Sequence, residues 1–93
     1  MGRSQLTTYR VTGNSMTPLL RDGQEVQVQP AESYSVGDMV VAIHPIQTDL
    51  IIVKQITEIK DGRFRLRGTN PEESTDNFGL IKKGNIIGKV ILS

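Results

Sequence analysis

Short runs of apolar residues, separated by turn residues, recur along this chain of 93 residues. Val26 and Val28 alternate with polar neighbours, which predicts a strand with one buried face, and the unbroken apolar run 39–43 predicts a strand covered on both faces. Asp61-Gly62 predicts a hairpin turn. The segments with strand character are 25–29, 39–43, 50–59, 63–67 and 86–92.

The fold class follows from these strands and from the lack of a convincing amphipathic helix of three turns. We expect an all-β, mainly antiparallel fold, either a small folded-over sheet or a partly closed barrel. The length predicts a single domain over 1–93, with residues 1–8 flexible. The polar loop 68–79 is long for so small a domain, and such loops are usually functional or disordered.

Composition and charge narrow the classes of function. Eleven Lys and Arg residues nearly balance ten Asp and Glu residues, so the protein has no strong overall electrostatic field that would attract a polyanion. We therefore expect no nucleic-acid partner. Without cysteine there are no disulfides or thiolate metal sites, and with one histidine we expect neither a metal nor a cofactor. No apolar stretch approaches the roughly 20 residues of a membrane span. The N-terminus also lacks a signal peptide's apolar region, so we expect a soluble, cytoplasmic protein without a membrane anchor.

The segment 11–18, Val-Thr-Gly-Asn-Ser-Met-Thr-Pro, places one serine in a predicted turn. Gly13 tolerates backbone angles that other residues avoid, and Pro18 fixes its own φ and restricts the residue before it. Ser15 can therefore present its hydroxyl at a sharp bend. The same residues are also typical of an ordinary loop.

A serine nucleophile needs a base, and the chain offers Lys54 and His44. On its predicted strand Lys54 shares a face with Ile52 and Ile56, and an apolar setting disfavours a charged ammonium group. The alternative is a lysine on the solvent face or at a strand edge. His44 stands beside a proline with no obvious acidic partner to orient the ring.

Taken together, these segments resemble the signal-peptidase and LexA-type serine–lysine protease superfamily (S24/S26). The matching segments, in order, are 11–18 (the nucleophile box, commonly Gly-x-Ser-Met-x-Pro), 22–28 and 36–41 (the next two strands), 52–56 (the lysine box) and 68–79 (the Gly-Asp-Asn box). The resemblance covers nearly the whole chain. It implies the catalytic-domain fold of these enzymes and a serine endopeptidase activity.

The resemblance also implies a role for each matching residue. Ser15 would be the nucleophile, Lys54 the general base, and Ser74 the residue that orients the lysine amine. The oxyanion would be bound by the backbone N–H groups of Ser15 and Asn14. The remaining implied roles are a place in the substrate pocket for Met16 and support of the loop by Asn70 and Asp76.

Within the superfamily, the chain looks most like the nickel-type superoxide dismutase maturation proteases. The pattern Asn-Pro-x-x-Ser-Thr-Asp at 70–76 and the missing anchor carry this resemblance. It implies a substrate bound as an extended strand, the precursor of nickel superoxide dismutase, from which an N-terminal prosequence is removed. Thr69 departs from the usual aspartate of the Gly-Asp-Asn box, and Asn77 from a common serine.

Three other functions remain open from the sequence. The first is a self-cleaving regulator of the LexA kind, although the chain has no Ala-Gly pair as a cleavage site. The second is a general enzyme of the signal-peptidase type. The third is a module of the same fold that binds peptides without cleaving them.

Overall fold

The computed structural model describes residues 6–13, 16–70 and 79–91. Its regular elements are the strands β1 (Thr7–Arg10), β2 (Glu25–Gln29), β3 (Met39–Ile43), β4 (Ile51–Lys60), β5 (Arg63–Arg67), β6 (Leu80–Lys82) and β7 (Ile86–Ile91), with a single 3-10 turn at Lys83–Asn85. Among these elements no helix is long and apolar enough to cross a membrane.

The seven strands form one sheet in the order β1-β2-β7-β3-β4-β5-β6, and every neighbouring pair is antiparallel. The predicted all-β, antiparallel class is therefore confirmed. β1 and β6 are the two edge strands of the sheet, so within the described residues the sheet is not closed into a barrel. Of the two expected forms, the structure is consistent with the folded-over sheet.

The central strand β3 divides the core into two clusters. Met39 and Val41 pack on one side and Val40 and Ala42 on the other, as alternation along a strand requires. The first cluster consists of Val11, Met16, Leu20, Val26, Val28, Met39, Val41 and Val90. The second cluster consists of Val40, Ala42, Ile56, Phe64, Leu66, Ile81 and Ile86. The prediction that 39–43 is covered on both faces is confirmed.

The hairpin between β4 and β5 turns at Asp61 and Gly62, as predicted, and both residues have a positive φ, 52° and 74°. Two consecutive positive values match the tight turn that suits the twist of a hairpin. The β4–β5 register shifts between Ile56 and Glu58. Because of this shift, Ile56 faces the second cluster, whereas Glu58 faces the opposite side of the sheet together with its partner Arg65.

Two strands of the structure lie outside the predicted set, β1 and β6. β1 includes Thr7 and Thr8, which the sequence placed in a flexible stretch, and it pairs with β2. β6 has only three residues and pairs with β5. Both are short edge strands whose formation depends on a neighbour, and local alternation gives little signal over so few residues.

Candidate active site

Lys54 is the one charged residue that is buried among the described residues, with 7% of its surface exposed. It pairs in register with Val40 of β3, which is fully buried, and it shares its face with Ile56. The predicted face is thus confirmed, and the alternative of a lysine on the solvent face is excluded. Burying an amine among apolar side chains is costly, so a role other than packing is expected for this residue.

The described residues on either side of Ser15 are held by backbone and side-chain hydrogen bonds. The N–H of Gly13 donates to Oδ1 of Asp22 at 2.8 Å, and Gly13 has a φ of 87°, which favours glycine. Val11 donates its N–H to the carbonyl of Gln24 and accepts from the N–H of Gly23, both at 2.8 Å. The start of the loop is therefore fixed to the turn that precedes β2.

Beyond the serine, Met16 is buried in the first cluster with 1% of its surface exposed, and its carbonyl accepts from the N–H of Leu20 at 2.9 Å. The structure thus places Met16 in the core. It is not among the residues that line the cavity described next. Its predicted place in a substrate pocket stays a prediction.

A cavity of about 150 Å³ joins the serine loop to the lysine strand. Its lining consists of Val11, Thr12, Leu50, Ile51, Ile52, Val53 and Lys54. Most of these side chains are apolar, and Leu50 and Ile51 are more than 40% exposed at its mouth. The cavity therefore brings together the two segments that the sequence predicted to carry the reaction, and it has room for an apolar side chain.

One side of the strand beside this cavity has no registered partner strand among the described residues, and we call this side the open edge. Residues 51–53 of β4 pair with β3 on one side, whereas the β4–β5 register begins only at Gln55. No other strand of the described residues is registered against 51–53 on that second side. An extended peptide can add to such an edge through main-chain hydrogen bonds.

Four of the predicted site residues, Asn14, Ser15, Ser74 and Asp76, lie outside the described residues. Asn70 is described and half-buried just after β5.

Thr69, at the position of the usual aspartate, has a buried hydroxyl without a hydrogen-bond partner, and so has Thr17. A buried hydroxyl that makes no hydrogen bond costs stability.

His44, the alternative base, is engaged in the turn that follows β3. Its Nδ1 accepts from the N–H groups of Ile46 at 3.1 Å and Gln47 at 3.0 Å. These bonds use the ring nitrogen as an acceptor for the backbone. The geometry assigns His44 to shaping the connection that leads to Leu50.

Sequence reasoning missed Asp22 as a loop anchor and Thr12 and Leu50 as cavity residues. Asp22 precedes Gly23 in a pair that is typical of turns, and its position nine residues after Gly13 carries no signal for the contact. Leu50 begins the predicted strand 50–59, and nothing in that pattern indicates a cavity. The cavity could not be foreseen because its two walls are distant in sequence.

Among the described residues, no group of three or more His, Asp or Glu side chains is placed to hold a metal ion. In a comparison with protein families, the Peptidase S24-like family model matches residues 1–91. The chain belongs to the Peptidase S24-like family, and this membership supports a serine protease-like function. A search of curated proteins found no match.

Proposed function

We propose that this protein is a serine endopeptidase with a Ser15–Lys54 dyad. The observation that carries the proposal is the burial of Lys54 at a cavity whose other wall, Val11 and Thr12, begins the serine loop. A surface lysine would be free to keep its amine in water, whereas a buried one at a cavity shared with Val11 and Thr12 fits a general base.

The reaction proceeds through an acyl-enzyme. The amine of Lys54 takes the proton of the Ser15 hydroxyl as Oγ attacks the scissile carbonyl carbon, and the N–H groups of Ser15 and Asn14 bind the resulting oxyanion. Lys54 then returns the proton to the leaving amine as the C–N bond breaks. Water, deprotonated by the same amine, hydrolyses the ester, and Ser74 orients the amine throughout.

The substrate binds as an extended strand along the open edge of residues 51–53. Main-chain hydrogen bonds to β4 supply affinity, and the apolar cavity selects one side chain near the cleaved bond. A cavity of about 150 Å³ with an aliphatic lining favours a small or medium aliphatic side chain over a charged one.

The substrate that we propose is the precursor of nickel superoxide dismutase, which would lose an N-terminal prosequence. This part of the proposal is supported by the pattern Asn-Pro-x-x-Ser-Thr-Asp at 70–76. The test is incubation of the precursor with wild-type protein and with Ser15→Ala, followed by intact mass of the product. Cleavage at one bond by the wild type alone supports the proposal, whereas equal cleavage by Ser15→Ala contradicts the nucleophile.

Self-cleavage is a second candidate, because the family match is to the S24-like branch, with which the sequence shares its LexA-type resemblance. The same experiment separates the two functions if each protein is also incubated alone. A slow, concentration-independent shortening of the wild type, absent from Ser15→Ala, favours self-cleavage. An unchanged mass together with a cleaved precursor favours action on a separate substrate.

A further inference from the structure

The strands β4, β5 and β6 carry a strongly basic surface on the side of the sheet opposite to the second cluster. Phe64 and Leu66 of β5 are buried in the second cluster, so the arginines that alternate with them point to the other side. We call this surface the basic face, and it consists of Lys60, Arg63, Arg65, Arg67 and Lys82. These are five of the eleven Lys and Arg residues in a chain whose net charge is +1.

Three of these cations stand in one row across the sheet. Arg63 is paired in register with Lys60 on one side and with Lys82 on the other, and all three are exposed. Residues directly opposite each other in antiparallel strands have neighbouring side chains, and like charges there destabilise the sheet. The row therefore costs stability in the free protein, which is typical of surfaces kept for a function.

The basic face has little internal compensation. Among the described residues, Glu58 is the acidic side chain that lies in register on it, and its Oε1 accepts from Nε of Arg65 at 2.8 Å. Arg65, and more weakly Lys60, lower the pKa of Glu58, which shows that its charge is already engaged. Within the part of the chain that the structure describes, an excess of positive charge is left on Arg63, Arg67 and Lys82.

We propose that the basic face binds an acidic, extended segment of a protein partner. Alternate residues along a strand are about 6.6 Å apart, so Arg63, Arg65 and Arg67 match the spacing of alternate side chains in another extended chain. The choice of a protein rather than a nucleic acid rests partly on the proposed peptidase function. It also rests on the sheet itself, because the aromatic ring of β5, Phe64, points into the second cluster, so the described strands offer no stacking platform for bases on this face.

The basic face and the candidate active site share one strand. Lys54 and Lys60 are six residues apart on β4, a distance of roughly 20 Å along the strand. An extended partner can therefore occupy the basic face without covering the cavity beside Lys54.

The test is binding of a labelled synthetic peptide with glutamate at every second position, measured by fluorescence anisotropy at two salt concentrations. The same peptide with glutamine in place of glutamate, and a short DNA duplex, serve as comparison ligands. We expect the glutamate peptide to bind and to weaken with salt, and the other two to bind more weakly. Preferential binding of DNA, or no binding of the glutamate peptide, would overturn the proposal.

Two charge reversals complete the test. Lys82→Glu should weaken peptide binding roughly tenfold. It should also raise the Tm by about 2 °C, because it places an anion opposite Arg63. The matched control is Arg21→Glu, an exposed arginine away from the basic face, which should change neither value. Equal loss of binding in the control would show a non-specific charge effect and refute the site.

The binding assay does not measure cleavage. A failure to bind the glutamate peptide therefore leaves the peptidase proposal standing. Binding by a protein without peptidase activity leaves the proposal for the basic face standing.

Discussion

Replacing Lys54 by methionine should stabilise the protein while removing its activity. Lys54 is 7% exposed and faces Val40 and Ile56, so its amine has been taken out of water. The contact that it makes in the structure offsets part of this cost. A hydrogen bond contributes about 0.5–1.5 kcal/mol net, whereas taking a polar group out of water costs about 1–3 kcal/mol. Methionine has a similar length and no charge, so we expect a gain of about 1 kcal/mol in the free energy of unfolding.

This gain is large enough to measure. For 93 residues the entropy of unfolding near the Tm is roughly 0.2 kcal/mol/K, so about 1 kcal/mol corresponds to a rise of about 5 °C. Urea unfolding should show a higher midpoint with an unchanged m-value. The matched control is Lys89→Met on β7. Its side chain is 41% exposed and lies 3.6 Å from Asp38, so its loss should change stability by less than about 0.5 kcal/mol.

The reasoning fails if Lys54→Met loses 1 kcal/mol or more. Such a loss would mean that the contacts of the amine stabilise the fold by more than its burial costs. Lys54 would then be a structural residue, and its burial would no longer support a catalytic role. A gain in stability without loss of precursor cleavage would leave the burial argument intact but contradict the proposed base.

Three further predictions concern the sheet and the loop. Gly88→Ala should lower stability by about 1–3 kcal/mol in urea unfolding, because a Cβ there would lie 2.7 Å from the carbonyl oxygen of Gln29; an unchanged midpoint would contradict the close approach of β2 and β7. Asp22→Ala removes the acceptor of the loop amide at residue 13 and should cost about 1 kcal/mol and lower cleavage further; cleavage at the wild-type rate would show that the anchor is dispensable. Arg65 lowers the pKa of Glu58 from its usual 4.5, so the stability that Glu58 contributes is present above that value and is lost as the pH falls through the lowered pKa. The Tm of Glu58→Gln should therefore lie below that of the wild type at neutral pH and meet it in acid, and a difference that persists in acid would argue against the ion pair.

Much of the fold could be predicted from periodicity, because each long strand has its own pattern. Alternation identified β2 and β5, and the unbroken apolar run identified β3 as a strand covered on both faces. The same rule of alternation placed Lys54 beside Ile56, and the structure confirms that side chain as buried. These features are local, and local features are what a single sequence records.

The rest depends on contacts between distant segments. β6 is a strand only because β5 lies beside it, and the register shift after Ile56 that turns Glu58 to the other face has no clear local signal. The cavity beside Lys54 is formed by two segments far apart in the chain. Asp22 could be predicted as a turn residue, but its bond to the serine loop depends on the folded arrangement.

The most direct test of the dyad is the rate of precursor cleavage by Lys54→Arg beside the wild type. Arginine is always protonated in proteins, so it cannot accept the proton of Ser15. The account predicts that kcat/KM falls by a factor of about 10² to 10⁴, with circular dichroism showing that the variant is folded. A Lys54→Arg variant that cleaves the precursor at the wild-type rate would contradict the dyad.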